Sequence, residues 1–197
     1  PAAAKTQEDP LTAQYNKTMV EIDKKQFPAA LKNLDDLEKK VANMPPAMQA
    51  TVCFHRARTF YLMKDWAKAD AELNTFLTKY PEGTGKVIDE NDNMRGVAQL
   101  TLVEVYANQS KWDPALDLLK MLRTNPLVQP KDRVNAYTLS ARVVEEKSKS
   151  GSEADKKTAL GQAVGLLKQA TAGGLGTPEA REGGMRLVEV YTKLGLV

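Results

Sequence analysis

The sequence is poor in the residues that most metal and enzyme sites use. Its 197 residues include one cysteine, Cys53, and one histidine, His55. A single cysteine excludes an internal disulfide framework, and two soft side chains are too few for an ordinary zinc site. No window approaches 18 consecutive apolar residues, so no membrane span is predicted. We therefore expect no catalytic residues, no metal and no other cofactor.

Charge of one sign is not in excess either. The chain carries 28 Lys and Arg against 25 Asp and Glu, a net charge of +3. That balance argues against a nucleic-acid binder, because such proteins work through a strongly basic face. Hydrophobic residues make up 42% and charged residues 27%, which is typical of a folded protein. The length fits a single core or one elongated array.

Strand signals are missing as well, whereas helix signals recur. There is no sustained alternation of apolar and polar residues and no Asn-Gly or Asp-Gly hairpin. Asp9-Pro10 places an acidic cap and a proline at the start of a helix, and Asp113-Pro114 repeats the pair. Apolar stripes with helical spacing predict nine helices joined by short links. We therefore predict an all-α protein.

Internal repetition is the strongest pattern in the chain. Leu-Val-Glu-Val-Tyr occurs at 102–106 and again at 187–191, an offset of 85 residues. Three predicted turns, at 25–30, 64–69 and 110–115, each place an aromatic residue three positions before an alanine. A single helix pair cannot bury its apolar face alone, so stacked pairs that share one core are predicted.

These patterns resemble the tetratricopeptide repeat (TPR) family, whose 34-residue unit is a pair of helices. The second unit matches the family pattern best, and the match covers Ala57, Phe60, Ala69, Leu73, Phe76 and Pro81. The resemblance extends over almost the whole chain. It implies a TPR-like α-solenoid of about four helix pairs plus a C-terminal helix. We expect a flexible N-terminal leader at 1–8 and a single repeat domain at 9–197.

The beginning of the sequence bears on localisation. Its small residues, Pro1-Ala2-Ala3-Ala4, are typical of the scar left by signal-peptide cleavage, although any disordered end has a similar composition. Residues 76–83 also resemble the unit ends of bacterial cell-envelope TPR proteins. We therefore expect a bacterial, exported protein of the periplasm or cell envelope. A cytoplasmic protein is the alternative.

Two loop segments and the two reactive side chains have simpler interpretations than catalysis. Residues 81–87 lack the hydroxyl that follows Gly-Lys in a phosphate loop, and 89–100 lacks the glycine and glutamate of a calcium loop. His55 has no neighbouring partner in the sequence and is interpreted as a surface or groove residue. Cys53 occupies a position where helix pairs are packed, so we expect it to be buried.

Function is therefore expected on a surface, and the first helix of each pair supplies it. In stacked helix pairs these helices line a concave groove of peptide width. Aromatic residues and arginine are typical of binding hot spots. Alternatively, Phe54 and Tyr61 fill the core between repeats. The predicted groove residues are Phe54, Arg58, Tyr61 and Leu62 in the second unit, Leu100, Glu104 and Asn108 in the third, and Thr138, Arg142 and Glu145 in the fourth.

The sequence thus predicts a non-enzymatic scaffold that binds a segment of another protein in this groove. The identity of that protein or peptide is not encoded in any motif. The alternative is a structural spacer, or a self-association region of a larger envelope protein. We expect a mainly monomeric chain with weak end-to-end association, because the last helix could leave an apolar strip uncovered.

Overall fold

The computed structural model describes residues 9–80, 94–126 and 128–196. Within these ranges the chain forms nine α-helices and no β-strand. The prediction of an all-α fold is confirmed for these ranges. The helices are α1 (Pro10–Asp23), α2 (Phe27–Val41), α3 (Pro46–Leu62), α4 (Trp66–Lys79), α5 (Met94–Asn108), α6 (Trp112–Thr124), α7 (Pro130–Ser148), α8 (Glu153–Gly173) and α9 (Pro178–Lys193).

Local sequence explains where several helices begin. The Asp9 carboxylate accepts a hydrogen bond from the Thr12 backbone N–H, and Pro10 occupies the first helical position. Thr177 caps α9 in the same way. The predicted start at Asp113-Pro114 is wrong by two residues, because the first residue of α6 is Trp112 rather than Pro114. Asp113 lies in its first turn, where a negative charge also stabilises the helix.

Contacts divide the chain into two compact units, Pro1–Met94 and Arg95–Val197. The first unit contains α1 to α4, in which α1 packs on α2, α2 on α3, and α3 on α4. One core cluster of this unit joins α1, α2 and α3, and its members are Ile22, Ala30, Leu34, Leu37, Val41 and Val52. The single repeat domain expected over 9–197 stays a prediction.

In the second unit, α7 is the central helix, because it contacts α6, α8 and α9. Val103 of α5 packs against Ala115 and Leu119 of α6 in one core cluster. A second cluster joins Val190 of α9 to α7 and α8, so the last helix is docked on these two helices. None of the nine helices is long and apolar enough to cross a membrane.

The turns between paired helices share one backbone geometry. Lys25, Lys64 and Ser110 have φ angles of 59°, 61° and 57°, in the left-handed region that favours glycine. In each turn the residue after them donates its N–H to a carbonyl five positions earlier, as Asp65 does to Phe60 at 3.0 Å. This is the Schellman pattern that ends many helices.

Candidate functional site

On α3, the structure separates the four predicted groove residues by exposure. Arg58 and Leu62 are exposed and Tyr61 is half-buried, with its ring edge against Trp66. Phe54, in contrast, is 5% exposed and its ring lies 5.6 Å from that of Phe76 on α4. Packing is therefore the role that its position supports, and of the four predicted residues only the other three reach the surface.

On α5, the predicted residues range from packed to exposed. Leu100 is half-buried and packs against the core cluster of Val103. Glu104 is half-buried, and Asn108 is exposed with its amide donating to the Glu104 carbonyl at 2.8 Å. Asn108 is therefore the most accessible of the three.

On α7, Thr138 and Arg142 reach the surface to different degrees, but Glu145 does not. Thr138 is half-buried and Arg142 exposed. Glu145 is 8% exposed and accepts hydrogen bonds from Arg186 at 3.0 Å and Lys193 at 2.7 Å. Its carboxylate joins α7 to α9. Sequence reasoning could not predict this link, because Glu145 is far from both Arg186 and Lys193 in the chain.

Sequence reasoning also missed an apolar cleft in the first unit. The cleft lies between α1, α2 and α3 and has a volume of about 450 Å³. The spacing of apolar residues on α1 predicts only that one stripe of this helix is buried. It does not predict the cleft, to which the polar residues Thr12 and Asn16 of α1 also contribute. Its lining residues are Leu11, Thr12, Tyr15, Asn16, Leu37, Val41, Met48, Thr51 and Val52.

His55, interpreted from the sequence as a surface or groove residue, is half-buried and lies one turn from the cleft. Its Nε2 atom is 2.9 Å from the Tyr15 hydroxyl, and its ring meets the edges of Tyr15 and Phe54. Burial, and to a smaller extent the charge of Arg58, lowers the pKa of His55 to about 4. The imidazole is therefore neutral at pH 7 and holds α1 against α3.

Two neighbouring side chains on α3 also have structural roles. Cys53 is buried as expected, and burial raises the pKa of its thiol to about 11, which disfavours the reactive thiolate. Arg56 donates to Glu72 of α4 at 2.8 and 3.0 Å and also to Glu38 of α2. It therefore links three helices of the first unit.

Arg58, only two positions further along α3, differs from Arg56. Its side chain is exposed and forms no hydrogen bond or ion pair within the ranges that the structure describes. The same ranges contain no cluster of three His, Cys, Asp or Glu residues that could hold a metal ion. The phosphate-loop and calcium-loop segments considered above lie outside the described residues, apart from 94–100.

Comparison with known proteins supports the fold. The tetratricopeptide repeat model matches residues 54–83. No curated protein matches the sequence significantly. Two solved structures are similar to the chain, both of a candidate kinesin light chain from Podosopora anserina with nearly identical TPR-like repeats.

One of the two structures is of a variant of that protein with a single substitution. It has a TM-score of 0.65 and 17% identity, over 94% of this chain and 86% of the other. The second structure has a TM-score of 0.62 and 17% identity, over 96% and 90%. At this identity the likeness shows the fold alone. The chain therefore has an all-α, TPR-like fold, and its residues 54–83 match the tetratricopeptide repeat itself.

Proposed function

We propose that this protein is a non-enzymatic interaction module that binds a segment of another protein. Repeats of the tetratricopeptide type generally mediate protein–protein interactions. The observation that carries the proposal is the exposed surface of α3, the first helix of the segment matched by the repeat model. There Arg58, Tyr61 and Leu62 lie within three helical turns of an apolar cleft.

The composition of this surface suits a binding site. Arginine and tyrosine are enriched among the residues that dominate binding energies, and a neighbouring exposed leucine adds apolar area. Arg58 has no internal ion pair to lose within the described residues, so its pairing with a partner carries a smaller cost than the release of Arg56 would. We therefore place the main contact on Arg58, Tyr61 and Leu62.

In the second unit, considered by itself, we propose a separate contact surface that includes Thr138 and Arg142 of α7. The predicted residues of α5, Leu100, Glu104 and Asn108, complete it. We leave Phe54 and Glu145 out of the proposed surface because both are occupied by internal packing and ion pairs.

Export to the bacterial periplasm or cell envelope remains part of the proposal and rests on the resemblance of residues 76–83 to the unit ends of bacterial cell-envelope TPR proteins. The alternative function is a structural spacer or self-association region. One observation favours it, since Met185 and Val188 on α9 are 60% and 59% exposed.

Site-specific photo-crosslinking tests the interaction surface. A benzophenone amino acid is placed at Leu62 and at Arg142, with Lys32 of α2 and Lys168 of α8 as controls, because both controls are exposed residues outside the surface. In the source cells we expect a discrete crosslinked partner from the first two positions and none from the controls. Equal crosslinking at all four positions, or none at any, contradicts the proposal.

A further inference from the structure

The cleft lies between α1, α2 and α3, and the exposed Arg58 belongs to α3, one of these three helices. We propose that they recognise two side chains of one peptide segment, an apolar side chain in the cleft and a carboxylate on Arg58, about three residues apart. This inference rests on the proposed function and specifies the chemistry of the partner.

The lining of the cleft favours an apolar occupant. Leu37, Val41 and Val52 form its base and belong to the core cluster, which fixes their positions. The polar side chains at its wall are engaged inside the protein. Thr51 donates its hydroxyl to the Ala47 carbonyl at 2.9 Å, and the Tyr15 hydroxyl is hydrogen-bonded to His55.

The volume of the cleft is large enough to take up a large side chain together with neighbouring atoms of the same segment. About 450 Å³ is at the lower end of ligand pockets, which are about 300–1,000 Å³. Burial of a leucine, methionine or phenylalanine side chain removes enough apolar surface from water to anchor a short segment when a second contact assists. An aromatic or long aliphatic side chain is therefore the expected anchor.

The charge of Arg58 determines which kind of partner side chain lies next to the apolar anchor. Arg58 is exposed and has no ion pair within the described part of the chain. On α1, the buried acidic residue Glu21 is engaged elsewhere, since it accepts a hydrogen bond from Asn33 at 2.7 Å and pairs with Lys17. A carboxylate of the partner complements Arg58, and a cation is repelled by it.

Helix geometry gives the spacing between the two contacts. Thr51 lines the cleft, and Arg58 follows it by seven residues, which places both on one face of α3 about 10.5 Å apart. His55 lies between Thr51 and Arg58 on this helix, and the charge of Arg58 is close enough to lower the pKa of His55. An extended peptide rises about 3.3 Å per residue, so the two contacts are about three residues apart.

Selection from a displayed random peptide library tests the inference directly on the intact chain. We expect enrichment of a large apolar residue with Asp or Glu about three positions away. Two variants separate the contacts. Thr12→Phe fills the cleft from its exposed rim, and Arg58→Glu reverses the charge. Thr75→Phe on α4 and Lys32→Glu on α2 are the matched controls, both at exposed positions outside the site.

For a synthetic peptide from that selection, we expect at least a tenfold weaker affinity with Thr12→Phe and with Arg58→Glu, and unchanged affinity with the two controls. Selection on Arg58→Glu should enrich Lys or Arg in place of the acid. The imidazole signals of His55, the one histidine of the chain, should shift when the peptide binds. Circular dichroism verifies that each variant remains helical.

The inference is overturned if no peptide is enriched, if enriched peptides lack the apolar and acidic pair, or if the variants bind them unchanged. Competition by a fatty acid with no effect of Arg58→Glu would also overturn it and would assign the cleft to small apolar ligands. These outcomes leave the crosslinking result at Leu62 unaffected, so failure of the inference is distinguishable from failure of the proposed function.

Discussion

Individual charged residues in this protein owe their roles to what surrounds them. Arg56 and Arg58 lie two positions apart on α3, yet Arg56 bridges to α2 and α4 while Arg58 points to solvent. Glu145 has a neighbour of the same type, Glu146, but is the one that accepts hydrogen bonds from α9. The identity of a charged residue therefore does not decide whether it serves structure or binding.

His55 gives a prediction for stability as a function of pH. Its pKa is about 4 in the folded protein against the ordinary value of 6.5. Between these values the unfolded chain binds more protons, so the free energy of unfolding decreases as the pH falls from 6.5 to 4. The full pKa shift of His55 corresponds to a decrease of about 3 kcal/mol in the free energy of unfolding, and this decrease comes from the His55 imidazole alone.

The measurement compares the wild type with His55→Gln, which has no titrating ring, in urea unfolding at several pH values. We expect the difference in unfolding free energy between the two proteins to shrink across this window. Titration of the His55 ring by NMR gives the pKa itself. A difference that is constant from pH 7 to pH 4, or a ring pKa near 6.5, contradicts the prediction.

At the scale of helices, the turns between paired helices contain residues with strained backbone conformations. Lys25, Lys64 and Ser110 adopt left-handed backbone conformations although each has a Cβ atom. The end of α9 has the same hydrogen-bond pattern with Gly195 at φ 70°. Glycine is therefore compatible with this turn, and the three other turns carry a conformational cost of about 1 kcal/mol each.

Lys64→Gly is accordingly expected to stabilise the protein. Relief of the left-handed conformation exceeds the extra freedom of glycine in the unfolded chain, so we expect a gain of up to about 1 kcal/mol. Thermal or urea unfolding measures it. Lys64→Ala is the matched control, because it removes the same charge and retains Cβ, and it should give no gain. Equal effects of the two substitutions would show that backbone conformation is not the cause.

At the scale of the whole molecule, the outer face of α9 bears on association. Met185 and Val188 are exposed on this face, while Glu182 and Glu189 lie beside them. Small apolar patches flanked by charge are short of the area that a stable dimer buries, which is about 1,200 Å² or more. We therefore predict a monomer at low concentration and weak self-association at high concentration.

Sedimentation over a wide concentration range tests this prediction. Val188→Lys should remove the weak association, whereas Val20→Lys on α1, at a residue that is 49% exposed, should leave it unchanged. A tight dimer that Val188→Lys abolishes would make this face a genuine interface. Association that is insensitive to Val188→Lys contradicts the assignment to α9.

Much of the fold follows from local signals, whereas little of the candidate site does. Capping residues and apolar spacing predict the helices, because both act within a few residues. The cleft requires α1 and α3 to lie side by side, and their contact between Tyr15 and His55 joins residues 40 positions apart. No local pattern in a single sequence indicates the contact between residues that are so far apart in the chain, or the cleft beside it.

The repeated pentapeptide separates the two kinds of information. Leu-Val-Glu-Val-Tyr is helical both at 102–106 in α5 and at 187–191 in α9, so its local sequence determined its secondary structure. Val103 is fully buried against α6, but the equivalent Val188 is 59% exposed, because no described helix covers that face of α9. Helix formation depends on neighbours within one turn, while burial depends on which element packs alongside, and only the tertiary structure decides that.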